Sequence, residues 1–338
     1  MTELVLIANA GDGTISTLRL HRATGDRPRL EVLATTGGLE GCGTFALDQE
    51  RDLVYAAHKG DQPGVATLRL DRETGELIEL RRSPVEASMT YLELAHGGTL
   101  LLGVSYGGGV GLVWPLTDGS LGEPTARTEN ANLHCVVARG GHAWFVSLGD
   151  DVVSQHALSA EGALTPLDPA TLPMAQGSGP RHLVLDGRTG YLVTEFSGEL
   201  VRLTVRDDGT LEPHEAVGFV DPSQGLKHSR LGADPLEEHL VWGADVGVAG
   251  DVVLASERTS SLLSAVPLRD GRLGEPVSFT PVPEQPRGFR VSDDGRYVVA
   301  VGERATEAVL LEVGQDGAVS RRDSVGIGHG ANWVRFVG

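Results

Sequence analysis

The sequence lacks the long segments that mark membrane proteins and helical proteins. Its 338 residues contain no run of about 18 apolar residues, which argues against a transmembrane helix. Helical periodicity of useful length is also absent. The N-terminal stretch MTELVLIANAGDG has an acidic residue where a signal peptide would be basic. We therefore expect no signal peptide and a cytoplasmic location.

Cysteine and lysine are both scarce. Cys42 and Cys135 form neither a disulfide framework nor a metal knuckle, so we expect reduced thiols within strands. Lysine occurs only at Lys59 and Lys227, and the formal net charge is -18. Such a charge repels nucleic acid and anionic membranes, so we expect neither as a partner. A small anionic substrate would need local arginines or histidines to bind.

Familiar catalytic motifs are missing as well. The sequence contains no G-x-S-x-G elbow, no P-loop, no H-E-x-x-H and no C-x-x-C. Its histidines are scattered among strand and turn positions without the spacing of metal ligands, so we expect no metal site.

What the sequence does contain is a degenerate repeat. Each copy has four short apolar runs separated by polar or glycine-containing turns, and the copies recur at ~40–50 residues. Two clear copies begin PRHLVLDGRTGYLVTEF and PRGFRVSDDGRYVVAV. One register position recurs in every copy, and it is occupied by Gly43, Thr90, His134, Arg181, Ala244, Arg287 and Asn332.

This repeat predicts an all-β fold, a seven-bladed β-propeller with four-stranded blades. The N-terminal copy lacks its first strand, whereas the chain ends in a segment that matches a first strand alone. We expect the C-terminal strand to join the N-terminal blade and close the ring, which leaves no free sheet edge. The prediction is one domain, residues 1–338, with a surface insertion at about 221–240. A sandwich or barrel is the alternative.

The first strand of each blade lines a propeller's channel, so the recurring position should form a ring at one mouth. A second ring is expected at the ends of the second strands, and its members are Asn9, His58, Tyr106, Gly149, Glu195, Glu257 and Glu303. The hairpin centred on Arg188 would also make Arg181 and Glu195 cross-strand neighbours. Residues far apart in sequence would then share one pocket.

The expected mouth combines basic and acidic groups suited to an anionic substrate. Arginine binds carboxylate or phosphate oxygens in pairs, and His134 has an ordinary pKa near 6.5. Glu195 beside Arg181 should stay ionised. The pair could instead be a structural ion pair, and His134 a hydrogen-bonded strand histidine. We expect His182 to point away from Arg181 and pack between blades.

At these residues the sequence resembles the lactonase family of seven-bladed propellers. That family includes the cycloisomerase-type 6-phosphogluconolactonases and the fungal 3-carboxy-cis,cis-muconate lactonizing enzymes. The motifs that carry the resemblance are Gly179-Pro180-Arg181-His182, Thr194-Glu195, Gln285-Pro286-Arg287-Gly288-Phe289 and Gly330-Ala331-Asn332-Trp333. The resemblance implies a catalytic set of His134, Arg181 and Glu195, with Arg287 nearby.

The expected activity is hydrolysis of a sugar lactone, with 6-phosphogluconolactone as the leading candidate. Glu195 or His134 would activate water, Arg181 would stabilise the oxyanion, and Arg287 would bind the anionic tail. Further substrate contacts are expected from Tyr106, Asn332 and Glu257. Neither hydrolysis nor the alternative, a muconate-type cycloisomerisation, requires a cofactor. A non-catalytic binding propeller is the competing class, and the oligomeric state stays open.

Overall fold

The computed structural model describes residues 2–22, 27–60, 62–314 and 316–338. Within these residues the chain forms thirty β-strands and three short helical turns. No helix in the described part of the chain is long and apolar enough to cross a membrane.

The strands follow one another closely along the chain. The first half contains β1 (Thr2–Asn9), β2 (Thr14–His21), β3 (Arg29–Thr36), β4 (Phe45–Asp48), β5 (Leu53–His58), β6 (Gly64–Leu70), β7 (Leu77–Pro84), β8 (Tyr91–Ala95), β9 (Leu100–Ser105), β10 (Val110–Thr117), β11 (Ser120–Leu121), β12 (Ala126–Glu129), β13 (Leu133–Arg139), β14 (His142–Ser147), β15 (Val152–Leu158) and β16 (Leu164–Pro173). The second half contains β17 (Pro180–Asp186), β18 (Thr189–Thr194), β19 (Glu199–Val205), β20 (Leu211–Gly218), β21 (Gly243–Ala249), β22 (Val252–Glu257), β23 (Leu262–Arg269), β24 (Arg272–Leu273), β25 (Ser278–Pro281), β26 (Gly288–Val291), β27 (Tyr297–Val301), β28 (Glu307–Val313), β29 (Val319–Gly326) and β30 (Ala331–Val337). The helical turns are 3₁₀ turns at His96–Gly98 and Pro222–Gln224, and α1 at Pro235–Glu238.

These strands form seven antiparallel sheets, which are the blades of a propeller. Blade 1 has the order β30-β1-β2-β3, and blades 2 to 7 take their strands in chain order from β4 to β29. In blades 3 and 6 the outermost strand is split in two, because β11 and β12 both pair with β10, and β24 and β25 both pair with β23. The predicted fold class, a seven-bladed propeller with four-stranded blades, is confirmed.

The ring closes through the two ends of the chain. Strand β30 pairs antiparallel with β1, with Leu4 opposite Val337. The innermost strands also contact one another in a complete circle, in the order β4, β8, β13, β17, β21, β26, β30 and back to β4. The predicted closure by the C-terminal strand is therefore confirmed.

Burial explains why each type of strand has its own pattern. Middle strands such as β5 and β9 are buried at every residue, because neighbouring blades cover both faces of each sheet. Outer strands such as β20 alternate between half-buried and exposed residues. Inner strands approach closely at glycines: a Cβ added to Gly288 would overlap the carbonyl oxygen of Asn332.

Residues 219–242 connect blades 5 and 6 and include the segment predicted as a surface insertion. Between 222 and 239 most residues are exposed or half-buried. The two ends of the connection are anchored, since Phe219, Leu240 and Val241 are buried. The segment therefore leads the chain from the outer strand of blade 5 to the channel, where Trp242 precedes β21.

Candidate active site

A cavity of about 890 Å³ lies at the mouth of the channel where the inner strands begin. Five residues of the predicted inner ring line it: Gly43, Thr90, His134, Arg287 and Asn332. From the predicted second ring it receives Tyr106, Glu195 and Glu303. The repeat register thus brought together residues from six blades, as expected.

Glu195 lies between two buried guanidinium groups. Its Oε2 atom is 2.8 Å from Arg181 Nε and 2.8 Å from Arg258 Nη2. Burial by itself would raise the pKa of Glu195, but the charges of Arg258, Arg181 and Arg287 outweigh it and lower the pKa. The carboxylate is therefore ionised at neutral pH. Its Oε1 atom has no hydrogen bond to another described residue, which leaves that atom for a water or substrate.

Arg181 forms an ion pair with Glu195 but does not itself line the cavity. Its side chain is 1% exposed. Besides Glu195, it donates hydrogen bonds to the carbonyl oxygen of Ala244 and, at 3.3 Å, to His182 Nε2. The expectation that its guanidinium opens into the mouth is wrong, because the inner strands of blades 5 and 6 enclose it.

The strand register at Arg181 also differs from the prediction. Pro180 pairs with Thr194 but His182 pairs with Val193, so Arg181 occupies a bulge with no partner on β18. Arg181 and Glu195 are consequently not cross-strand neighbours, although their side chains meet. The bulge turns Arg181 toward the neighbouring blade.

His182 faces the channel axis, where its ring lies edge-on to Tyr91 of blade 3 and Trp333 of blade 1 at 5.4 and 6.1 Å. The expectation that it points away from Arg181 and packs between blades is therefore wrong. Its Nδ1 donates to Asp245 Oδ1 at 2.8 Å. Arginine can only donate, so Nε2 must accept from Arg181, which places the proton on Nδ1. Burial and the charge of Arg181 lower the pKa of His182 to about 4. Asp245 and His182 thus form a buried chain of hydrogen bonds that ends on Arg181.

Arg258 is a cavity residue that we did not predict. Its guanidinium carbon lies 3.9 Å from the ring centroid of Trp242, and its Nη2 donates to the carbonyl oxygen of Gly243 at 3.1 Å. Burial lowers the pKa of Arg258 to about 9, which still leaves it protonated at neutral pH. The ring of Trp242 and three oxygen acceptors, which are the carbonyl oxygens of Trp242 and Gly243 and the carboxylate of Glu195, hold this guanidinium at the cavity wall.

His134 is neutral under ordinary conditions. It is buried, and burial together with the charge of Arg181 lowers its pKa well below 6.5. Its Nδ1 is fully buried and has no partner among the described residues, whereas Nε2 is left as the nitrogen that can reach the cavity. The ring packs edge-on against Tyr106 at 5.8 Å and His182 at 5.1 Å.

The rest of the cavity wall adds positive charge and neutral polar groups. Arg287 Nη1 donates to Glu303 Oε1 at 2.9 Å, and Lys59 also lines the wall. Burial and the charge of Glu195 raise the pKa of Tyr106, which keeps its hydroxyl protonated. The Oδ1 atom of Asn332 is buried with no partner among the described residues. The cavity wall carries three cations, Lys59, Arg258 and Arg287, against the two carboxylates Glu195 and Glu303. With the enclosed Arg181 behind Glu195, the mouth is locally positive in a chain of net charge -18.

Comparison with known proteins identifies the family. Residues 5–336 match the family model described as a lactonase with a seven-bladed beta-propeller. The chain belongs to this lactonase family. A 6-phosphogluconolactonase of Klebsiella pneumoniae is 26% identical over 282 residues, which are 80% of this chain and 81% of that protein.

One further relative and one solved structure are also similar to this chain. A 6-phosphogluconolactonase of Sodalis glossinidius is 28% identical over 282 residues, 80% of this chain and 81% of that protein. The solved structure of a periplasmic gluconolactonase of Pseudomonas aeruginosa has a TM-score of 0.86 and 23% identity, and covers 100% of this chain and 99% of that one. The structural likeness shows the shared lactonase propeller fold.

Within this lactonase propeller, Glu257 does not reach the cavity. Its carboxylate accepts hydrogen bonds from the backbone nitrogens of Trp242, Thr259 and Ser260, at 2.8, 3.0 and 2.6 Å. The side chain therefore shapes the turn after β22. The structure contradicts its expected position in the pocket, because these backbone groups draw the carboxylate away from the channel.

Arg258 takes the place that we expected Glu257 to fill. The backbone nitrogen of Arg258 donates to the carbonyl oxygen of Trp242, just as that of Glu195 donates to Gly179 in blade 5. Glu257 pairs with Gly243 as Thr194 pairs with Pro180, so Arg258 is the residue of blade 6 that corresponds to Glu195. The available signal was the spacing, because Arg258 follows Ala244 by the same 14 residues by which Glu195 follows Arg181, whereas Glu257 follows Ala244 by 13.

Proposed function

We propose that this lactonase-family protein hydrolyses a sugar lactone, with 6-phosphogluconolactone as the first substrate to test. The observation that carries the proposal is an ionised Glu195 held on one oxygen by Arg181 and Arg258, at the wall of a cavity with further cations. A fixed carboxylate beside a fixed guanidinium can activate water and stabilise the charge that develops on a carbonyl oxygen.

The charge of the cavity favours an anionic substrate. Arg287 is 33% exposed and reaches into the opening, and Lys59 lies on the same wall. Both are suited to phosphate or carboxylate oxygens. The cavity volume of about 890 Å³ accommodates a phosphorylated sugar with its surrounding water.

In the proposed reaction, Glu195 Oε1 takes a proton from a water molecule as the water oxygen attacks the lactone carbonyl carbon. Arg258 donates to the carbonyl oxygen as it becomes negative. When the tetrahedral intermediate collapses, the bond between the carbonyl carbon and the ring oxygen breaks. The departing oxygen receives the proton, and the product is a hydroxy acid.

Arg181 has a positioning role in this scheme, which differs from the oxyanion contact expected from the sequence. Because it is enclosed, it acts by fixing Glu195, and Asp245 and His182 fix Arg181 in turn. His134 is the alternative base, since its ring is neutral and its Nε2 can reach the cavity. Tyr106 and Asn332 stay proposed substrate contacts.

The direct test is turnover of 6-phosphogluconolactone measured above its spontaneous hydrolysis. We expect Glu195→Gln to lower kcat by ~10²–10⁴-fold if Glu195 is the base. Arg258→Gln should lower it by ~10²–10³-fold through loss of an oxyanion donor. Arg272→Gln, which removes an exposed arginine on blade 6, is the matched control and should leave the rate unchanged.

Other outcomes separate the competing functions. A wild-type protein that acts on muconates but not on sugar lactones would be a cycloisomerase. One that acts on neither would be a binding propeller. Should His134→Gln abolish turnover while Glu195→Gln keeps most of it, the base is His134.

A cytoplasmic location also stays a proposal. It fits the two cysteines, which are both buried and unpaired. Fractionation of cells that produce the full-length protein would test it, and recovery in another compartment would contradict it.

A further inference from the structure

A second cavity, of about 200 Å³, lies farther along the channel than the candidate active site. His182 lines it, and the ring of His182 lies 5.1 Å from that of His134, which lines the first cavity. The two cavities therefore lie on opposite sides of this pair of rings. The polar side chains of the second cavity include Glu93, Arg139, Asp245, Arg290 and Arg335.

Two of these arginines, Arg290 and Arg335, come from the inner strands of the adjacent blades 7 and 1. At the start of β26 and in β30, a residue of the first cavity is followed three residues later by an arginine of the second: Arg287 by Arg290, and Asn332 by Arg335. Strands β26 and β30 contact each other and both line the channel. Arg290 and Arg335 therefore lie next to each other on the wall of the second cavity.

Neither arginine has a close counterion. Most arginines in the described part of the chain form an ion pair, but no carboxylate oxygen of that part lies within 4.0 Å of Arg290 or Arg335. Arg335 donates only to the carbonyl oxygen of Val334, at 2.9 Å, and its guanidinium carbon lies 4.1 Å from the ring centroid of Trp333. Burial lowers the pKa of Arg335, and the charge of Arg290 lowers it further.

The two acidic residues of the cavity do not neutralise this pair. Asp245 is occupied by His182 and by the backbone nitrogens of Val246 and Phe289. Burial raises the pKa of Glu93 to about 7, so this carboxyl is only partly ionised at neutral pH. The guanidinium groups of Arg290 and Arg335 thus line a small cavity, and neither forms an ion pair with a carboxylate of the described residues.

We propose that the second cavity binds a small oxyanion, a phosphate or a short carboxylate, between Arg290 and Arg335. The planar fork of each guanidinium matches the paired oxygens of such a group. The cavity holds several times the ~30 Å³ that one water occupies, but it is far smaller than the first cavity. This inference concerns a separate site and does not depend on the proposed lactone hydrolysis.

Equilibrium dialysis with labelled inorganic phosphate, and separately with labelled acetate, tests the proposal. The reference protein is Arg287→Gln, because this change weakens anion binding in the first cavity. We expect it to retain binding of one of the two anions. Adding Arg290→Gln or Arg335→Gln should weaken that binding about tenfold or more, as expected for loss of one charge-assisted hydrogen bond.

The charge-matched control adds Arg272→Gln, at an exposed position in blade 6, to the same reference and should leave binding unchanged. Arg290 is exposed, so its variant is informative even if Arg335→Gln fails to fold. The proposal is overturned if Arg287→Gln binds neither anion, or if Arg290→Gln leaves the binding as it was. Equal weakening by Arg272→Gln would also overturn it, since the effect would then reflect net charge alone.

Discussion

Replacing Glu195 with glutamine removes the carboxylate between two buried guanidinium groups. The side chains of Arg181 and Arg258 are 1% and 3% exposed, and both lie 2.8 Å from Glu195 Oε2. Glutamine has nearly the same shape, so the change removes charge with little change in packing. The two arginines would then face each other in a buried space without their counterion.

The expected loss of stability is large because the remaining charges stay buried. Breaking a buried ion pair by removing one partner costs ~3–5 kcal/mol. For a chain of this length the entropy of unfolding is ~0.7 kcal/mol per kelvin, at ~2.1 cal/mol/K per residue. The melting temperature of Glu195→Gln should therefore fall by ~4–7 °C.

Thermal melts of the purified variants provide the measurement, and Glu303→Gln is the matched control. Glu303 pairs with Arg287 in the same cavity, but these side chains are 24% and 33% exposed. Such a pair contributes ~0–1 kcal/mol, so the control should melt within ~1–2 °C of wild type. If both variants lose the same stability, Glu195 does not compensate buried charge and our reasoning is refuted.

The pH dependence supplies a second check on the same residue. Because the folded state lowers the pKa of Glu195 below its usual value of 4.5, the stabilisation is fully present above about that pH. It is lost as the pH falls through the lowered pKa of the folded state. The difference in melting temperature between wild type and Glu195→Gln should thus be constant above pH ~4.5 and shrink below it.

Two further predictions concern packing and thiol reactivity. Gly288→Ala should lower stability by ~1–3 kcal/mol in a denaturant melt, because its Cβ would overlap the carbonyl oxygen of Asn332. Gly218→Ala is the control, since nothing lies within 4 Å of its added Cβ; equal losses would contradict the packing argument. Burial raises the pKa of both Cys42 and Cys135 to about 12, so neither should react with a thiol reagent until the protein unfolds. Rapid labelling of the folded protein at neutral pH would show that this burial is incomplete.

The fold was predictable because its determinants are local and repeated. Each blade needs apolar runs for strands covered on both faces, and turns at regular spacing between them. The missing first strand at one end and the extra strand at the other were sufficient to predict the pairing of β1 with β30. The recurring register position also identified His134, Arg287 and Asn332 as neighbours at one mouth.

The details of the site were less predictable because they depend on irregular strand pairing. A bulge at Arg181 turns this side chain toward Ala244 in the next blade, and the pairing around the matching bulge in blade 6 makes Arg258, not Glu257, the residue that corresponds to Glu195. A bulge adds one residue to a strand without changing the apolar pattern on either side of it. A count of residues between turns therefore misses it.

The sequence by itself determined the number of blades, the way the ring closes and the blade positions that carry charged groups near the axis. Only the tertiary structure decided which of those groups are enclosed, which are open to a ligand and which pair with one another. The physical reason is that the spacing of strands and turns depends on the types of side chain that are close together in the sequence. The direction of a single charged side chain, by contrast, is set by contacts between blades that are far apart in the chain.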